Sequence, residues 1–264
     1  RMSVPSHLLA LSVGAIGACV AGPACADTDI HQQEARAHPR KGETLLYRES
    51  HWRYRQEGTA RRLVLYRCPD GRAFARKTVV ERAMAQAPDF DFQDARDGYR
   101  EGVRSGPQGR VVYVRSGARA PLKERALAVP ADGVIDAGFD ASVRLHWATL
   151  RAGDDVTQPF LLPSRMSFVP VRLQPGPSVR WQGIPAQRMT MRLGRWYGFV
   201  APSMELTYAD ADRRLLEFAG IATIRDSAGR HQDVRIVFPE PAKPADAGAL
   251  QRALATPLVQ RCTP

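Results

Sequence analysis

Glu49 and His51 stand two residues apart in the run Leu46-Tyr47-Arg48-Glu49-Ser50-His51-Trp52-Arg53-Tyr54. On an extended strand, residues i and i+2 share a face, so a carboxylate and an imidazole at this spacing could work as an acid–base pair. Trp52 and Tyr54 fall on the opposite face. A solvated polar face on an outer strand is therefore the plainer expectation for Glu49, His51 and Arg53. His146, a lone histidine beside Trp147, reads as a hydrogen-bonded boundary residue. Asp210 and Asp212 make a short D-x-D, but a calcium loop needs more oxygen ligands at set spacing, so they read as turn residues. Asp136 and Asp140 flank an expected helix start, where capping and the helix dipole account for them. No G-x-S-x-G, H-E-x-x-H, S-x-x-K or P-loop occurs. The sequence assigns no catalytic residue, no metal ligand and no cofactor.

The methionines carry a different chemistry. Met166, Met189, Met191 and Met204 fall in successive expected strands, and flexible thioethers suit cavities that accept varied apolar ligands. Core filling is the default for such residues. With Phe139 and Trp147 they make the candidate set for binding a lipid or another apolar group.

The elements that must position these residues follow from periodicity. Residues 27–42 are polar, without apolar spacing, and read as a flexible leader. From residue 43 the period becomes two, and a β-rich domain is expected over 43–238. Arg62–Cys68 and Ala73–Val80 bracket the turn Pro69-Asp70-Gly71. Further strands are expected at Arg110–Arg115, Arg165–Leu173, Gln187–Leu193, Met204–Tyr208, Arg213–Ile224 and Asp233–Phe238. Turn-like connections fall at 209–212 and 226–230. One helix interrupts them: Asp136 is its expected N-cap, and Phe139, Val143, Trp147 and Leu150 share its apolar stripe. Residues 239–264 form a C-terminal tail with a short helix near 246–255. The fold class is mainly β: a curled antiparallel sheet or incomplete β-barrel enclosing one amphipathic helix, with Phe139 and Trp147 meeting Met189 and Met191.

The N-terminal residues read as an export signal. The apolar run Leu8–Ala21 has the length of a signal-peptide core and is too short to span a bilayer. Ala24-Cys25-Ala26 supplies a cleavage pattern of small residues, so residues 1–26 are expected to be removed and the protein to reside in the periplasm. A second reading takes Ile16-Gly17-Ala18-Cys19 as a lipoprotein box with a lipid anchor at Cys19. No later apolar run is long enough for a transmembrane helix. Cleavage after Ala26 leaves Cys68 and Cys262, whose pairing an oxidising compartment favours.

The chain carries a formal net charge of +11, with 34 Arg against 4 Lys. A basic balance invites a nucleic-acid reading. The arginines are scattered at strand spacing, however, no recognition motif accompanies them, and export argues against that role, so no nucleic-acid partner is expected. An anionic envelope component remains a possible partner, since the planar guanidinium suits phosphate and carboxylate.

The phrases LLYRESHW, LYRCPDGRAFARK, DAGFDASVRLHW and MELTYADADRRLLEFAGIATIRD resemble a family of uncharacterised exported proteins of proteobacteria, over roughly residues 43–238. In predicted topology the chain is distantly similar to the periplasmic lipoprotein-localisation carriers, incomplete β-barrels around helices that hold acyl chains. That similarity implies a ligand-holding interior; it carries over no functional residue. The leading expectation is a periplasmic non-catalytic binding or carrier protein for a lipid or other apolar ligand. The alternatives are an envelope interaction or assembly factor acting through an Arg-rich surface, and a hydrolase built around His51 and Glu49.

Overall fold

The computed structural model describes residues 29–193 and 203–263. The expected signal segment 1–26, including Cys19 and Cys25, lies outside the described residues.

Strands dominate, and each pairs antiparallel with its neighbours. The first half of the chain is a meander: β1 (His31–Pro39), β2 (Tyr47–Gln56), β3 (Thr59–Arg67), β4 (Ala73–Val80), β5 (Asp89–Asp94), β6 (Arg100–Gly106), β7 (Gly109–Arg115) and β8 (Lys123–Leu127). The second half is another: β9 (Val156–Leu162), β10 (Ser167–Trp181), β11 (Ile184–Leu193), β12 (Ser203–Ala209), β13 (Leu215–Arg225) and β14 (His231–Val237). The two join where β1 pairs with β14, Ala37 opposite Ile236, giving one sheet with β8 and β9 at its edges. The short β15 (Lys243–Pro244) adds to β1. The sheet is not closed into a barrel.

β1 corrects the expectation of a flexible leader. Its sequence HQQEARAHP carries only two apolar side chains, Ala35 and Ala37, both fully buried. Two alanines give almost no periodic signal. Backbone hydrogen bonding to neighbours on both sides holds the strand, and that is invisible in composition. β5 was also missed, although Phe90 and Phe92 alternate with Asp89 and Asp91 and both rings are buried.

The connection from β8 to β9 spans the two edges. Val134 adds a parallel bridge to Phe160 of β9, and the Ile135 amide donates to the Gln86 carbonyl at 2.9 Å. A β-carbon on Gly138 would lie 2.0 Å from that same carbonyl oxygen, so only glycine permits this approach. The expected single helix is broken. A 3₁₀ turn at Asp136–Gly138 leads into α1 (Phe139–Leu145), and α2 (Trp147–Arg151) follows a kink at His146. Asp136 is not an N-cap: it lies in the left-handed region at φ 46° and makes no capping bond.

Four hydrophobic clusters form among the described residues, and two of them lie under helices. Val143, Trp147 and Leu150 pack on Val171, Leu173, Met189, Met191 and Leu206, as the helix stripe requires. On the other face of β2–β4, Trp52, Leu63 and Leu65 are covered by Leu250 and Ala253 of α3 (Ala247–Leu254). Asp246 caps α3, accepting from the Ala249 amide at 2.7 Å. Cys68 and Cys262 form a disulfide with a Cα–Cα distance of 5.4 Å, fastening this tail to the end of β3. No helix among the described residues is long and apolar enough to cross a membrane.

Candidate functional site

The alternation in β2 falls as read, but its sense is inverted. Trp52 lies beneath α3, while Glu49, His51 and Arg53 turn into the concave side of the sheet. Glu49 is buried and His51 half-buried, so these two do not form a solvated outer face, whereas Arg53 is exposed to water as well as bordering the concave side. All three line a cavity of about 630 Å³, within the roughly 300–1,000 Å³ usual for small-molecule sites.

The two halves of the sheet give this cavity two different walls. The first meander contributes the ionisable groups Glu49, His51, Arg53, Arg62, Lys77 and Glu101, set among Tyr47, Val64, Tyr66 and Val79. The second contributes Phe160, Leu161, Met191, Met204, Phe218 and Ile224, with Ile236 and Phe238 beside them. The connection between the sheet edges closes over both, bringing Asp136, Phe139, Asp140 and Arg144. Most of the charges are internally matched. Lys77 Nζ sits 2.6 Å from Asp136 Oδ1, with both side chains buried, and 5.7 and 5.9 Å from the ring centres of Phe90 and Phe92. Arg144 meets Asp140 at 3.2 Å, and Arg214 meets Asp212 at 2.8 Å. His51 Nε2 lies 2.7 Å from Glu49 Oε2, its ring edge-on to Phe238.

Glu101 is a buried acid of the cavity wall. The Tyr99 hydroxyl donates to its Oε2 at 2.6 Å. Burial raises its carboxyl above the ordinary 4.5, and Asp136 adds to the rise. The Tyr99 hydrogen bond and the positive charges of Lys77 and His231 oppose it. The folded protein therefore holds this proton more tightly than the unfolded chain, and the associated stability is fully present below the unfolded value. It is lost as pH rises from about 4.5 through the raised folded value. Glu101→Gln cannot titrate, so the melting temperature of the natural protein relative to this variant should fall as pH rises above about 4.5. A flat or rising difference would show that Glu101 is not held in this way.

The sequence-derived candidates separate. Phe139, Met191 and Met204 line the cavity. Trp147 and Met189 are buried behind it in the core under α1 and α2. Met166 is not in a strand: it follows a 3₁₀ turn at φ 53° and packs against the core of the first meander. Asp212 is a turn residue, accepting from the Arg214 amide at 3.1 Å, and Asp210 pairs with Arg151 at 3.5 Å. His146 Nδ1 contacts the Ser142 carbonyl oxygen at 3.0 Å. No cluster of metal-ligating side chains occurs among the described residues.

Several lining residues escaped the sequence reading, notably Arg62, Lys77, Glu101, Phe218 and Ile224. The signal available was period-two alternation, as in Arg62-Val64-Tyr66 and Ala75-Lys77-Val79. It places each set on one face without saying that the face is concave.

No protein-family model, no curated protein and no solved structure matches this chain.

Proposed function

We propose that this protein is a non-catalytic periplasmic binding or carrier protein whose cavity takes a lipid or another amphiphilic apolar ligand. The observation that carries this reading is the 630 Å³ cavity with a largely apolar wall on one side and a mixed wall bearing ionisable groups on the other. An apolar chain laid against Phe218, Ile224, Met191 and Met204 is removed from water there, gaining about 0.8 kcal/mol per buried methylene. The Cys68–Cys262 disulfide suits an oxidising compartment.

Binding of a fluorescent acyl probe tests the proposal. Ala222, almost fully buried in β13, borders the cavity, so Ala222→Phe adds a ring that competes with the ligand for the void, at a packing cost of about 1–3 kcal/mol. The natural protein should bind the probe in one-to-one ratio, and the variant should bind it about tenfold more weakly, a difference of about 1.4 kcal/mol. Equal binding by both would refute the cavity as the site.

The Glu49–His51 contact supports a second reading, hydrolysis of an ester held in the same cavity. Among the described residues no serine, threonine or cysteine is hydrogen-bonded to His51, so water would be the nucleophile. Release of free acid from an ester probe in the same titration would favour this reading. A surface-acting interaction factor has less support. Arg72, Arg82, Arg100, Arg104 and Arg230 each pair with a carboxylate at 2.7–2.9 Å, which spends their charge locally.

A further inference from the structure

Arg53 of β2 and Arg62 of β3 are directly opposed cross-strand partners, and both line the cavity. Side chains in this relation start about 5 Å apart at their β-carbons, and like charges so placed repel. The other ionised groups in the wall have partners: Lys77 has Asp136, Arg144 has Asp140, Arg214 has Asp212, and Glu49 has His51. Arg53 and Arg62 differ. Neither side chain makes a hydrogen bond or an ion pair within 4.0 Å among the described residues. Arg144 adds a third positive charge within electrostatic reach of Arg53, against the carboxylates of Asp140 and Glu81.

We infer that the Arg53–Arg62 pair is the head-group subsite of the cavity and that the ligand is an amphiphile with an oxyanion, a carboxylate or a phosphate, at one end. This rests on the carrier reading above and specifies its ligand class. Two guanidiniums offer paired N–H donors in the planar geometry that such oxygens accept, and an anion between them turns the repulsion into two attractions. Their surroundings agree. Arg53 is exposed and Arg62 half-buried, so an anion can reach both from water, while partial desolvation and the charges of Arg62 and Arg144 lower the Arg53 guanidinium to about 10. The apolar wall supplied by the second meander lies in the same cavity, so one molecule can meet both.

Calorimetric titration with decanoate, decyl phosphate and decanol, on the full chain at low salt, separates the possibilities. The natural protein should bind at least one of the two anions about tenfold more tightly than the alcohol, the scale of a charge-assisted hydrogen bond. Preference for decanoate would point to a fatty-acid head and preference for decyl phosphate to a phospholipid-type head; either supports the subsite. Arg53→Gln/Arg62→Gln, which removes the repulsion and so should fold, should lose that preference while binding decanol unchanged. Arg125→Gln, which removes one positive charge from exposed β8 away from the cavity, should retain it. Equal binding of anions and alcohol by the natural protein, or equal weakening of all three ligands in the double variant, would overturn the subsite and leave the carrier reading standing. Failure of all three ligands to bind would overturn both.

Discussion

Lys77→Met is expected to destabilise the protein by about 3–5 kcal/mol, the cost of leaving one member of a buried ion pair without its partner. Methionine preserves much of the lysine's length, so the loss is electrostatic more than steric. Asp136 keeps its carboxylate at a side-chain exposure of 11%, with Oδ2 already unpartnered, and Glu101 then faces it without the intervening ammonium. The backbone compounds the effect. Asp136 is held at φ 46°, a conformation that L-residues adopt at a cost, and the Lys77 bond is what fixes its side chain there. Lys77→Met/Asp136→Asn should recover most of the loss, because asparagine tolerates the same backbone region and brings no charge. Denaturant melts of Lys77→Met, Asp136→Asn and the double variant check this. Strict additivity, with the double variant as unstable as the sum of both singles, would show that the pair is not coupled.

Cys262→Ser is the second large effect. The bond closes a loop of 194 residues, and in the chain-entropy model its loss costs roughly 4–5 kcal/mol. For a protein of this size that corresponds to a drop of about 8–20 °C in melting temperature. The tail it secures also covers apolar surface: α3 lies on Trp52, Leu63 and Leu65, and the Val259 amide donates to the Ala73 carbonyl at 2.8 Å. Reductant should therefore lower the melting temperature of the natural protein to that of the variant and leave the variant unaffected. A variant within about 1 kcal/mol of the natural protein would mean that packing alone holds the tail.

These two contacts differ in how far the sequence announces them. The disulfide was legible because removing the expected signal leaves two cysteines. The short helix near 246–255 was legible from its apolar spacing, whereas its Asp246 cap was not read. The strands with clear alternation, such as Gln187–Leu193 with Met189 and Met191, fell where periodicity places them. β1 did not, because two alanines between polar neighbours look like any polar segment. Lys77 paired with Asp136 was out of reach altogether. Their side chains meet across 59 positions of sequence, and only the chain's return from β8 to β9 brings them together.

The candidate site shows the same division more sharply. Period two separates Glu49, His51 and Arg53 from Trp52 and Tyr54 without error. Polarity then suggests that the charged side faces water and the aromatic side faces the core. In this fold a C-terminal helix covers the aromatic side, and the charged side looks into a cavity, because two meanders joined at β1–β14 curl their faces toward each other. Which face is concave is a property of the whole sheet. No single strand contains it. The methionine reading was divided for a related reason: Met191 and Met204 reach the cavity, while Met189, two residues from Met191 on the same face, lies under α1 and α2.

The central claim, that the cavity holds a lipid or other amphiphile, is tested most directly by mass spectrometry of organic extracts from the natively purified protein beside a mock preparation. The account predicts an amphiphile in stoichiometric amount, absent from the mock. A clean extract from correctly folded, disulfide-bonded protein would contradict it.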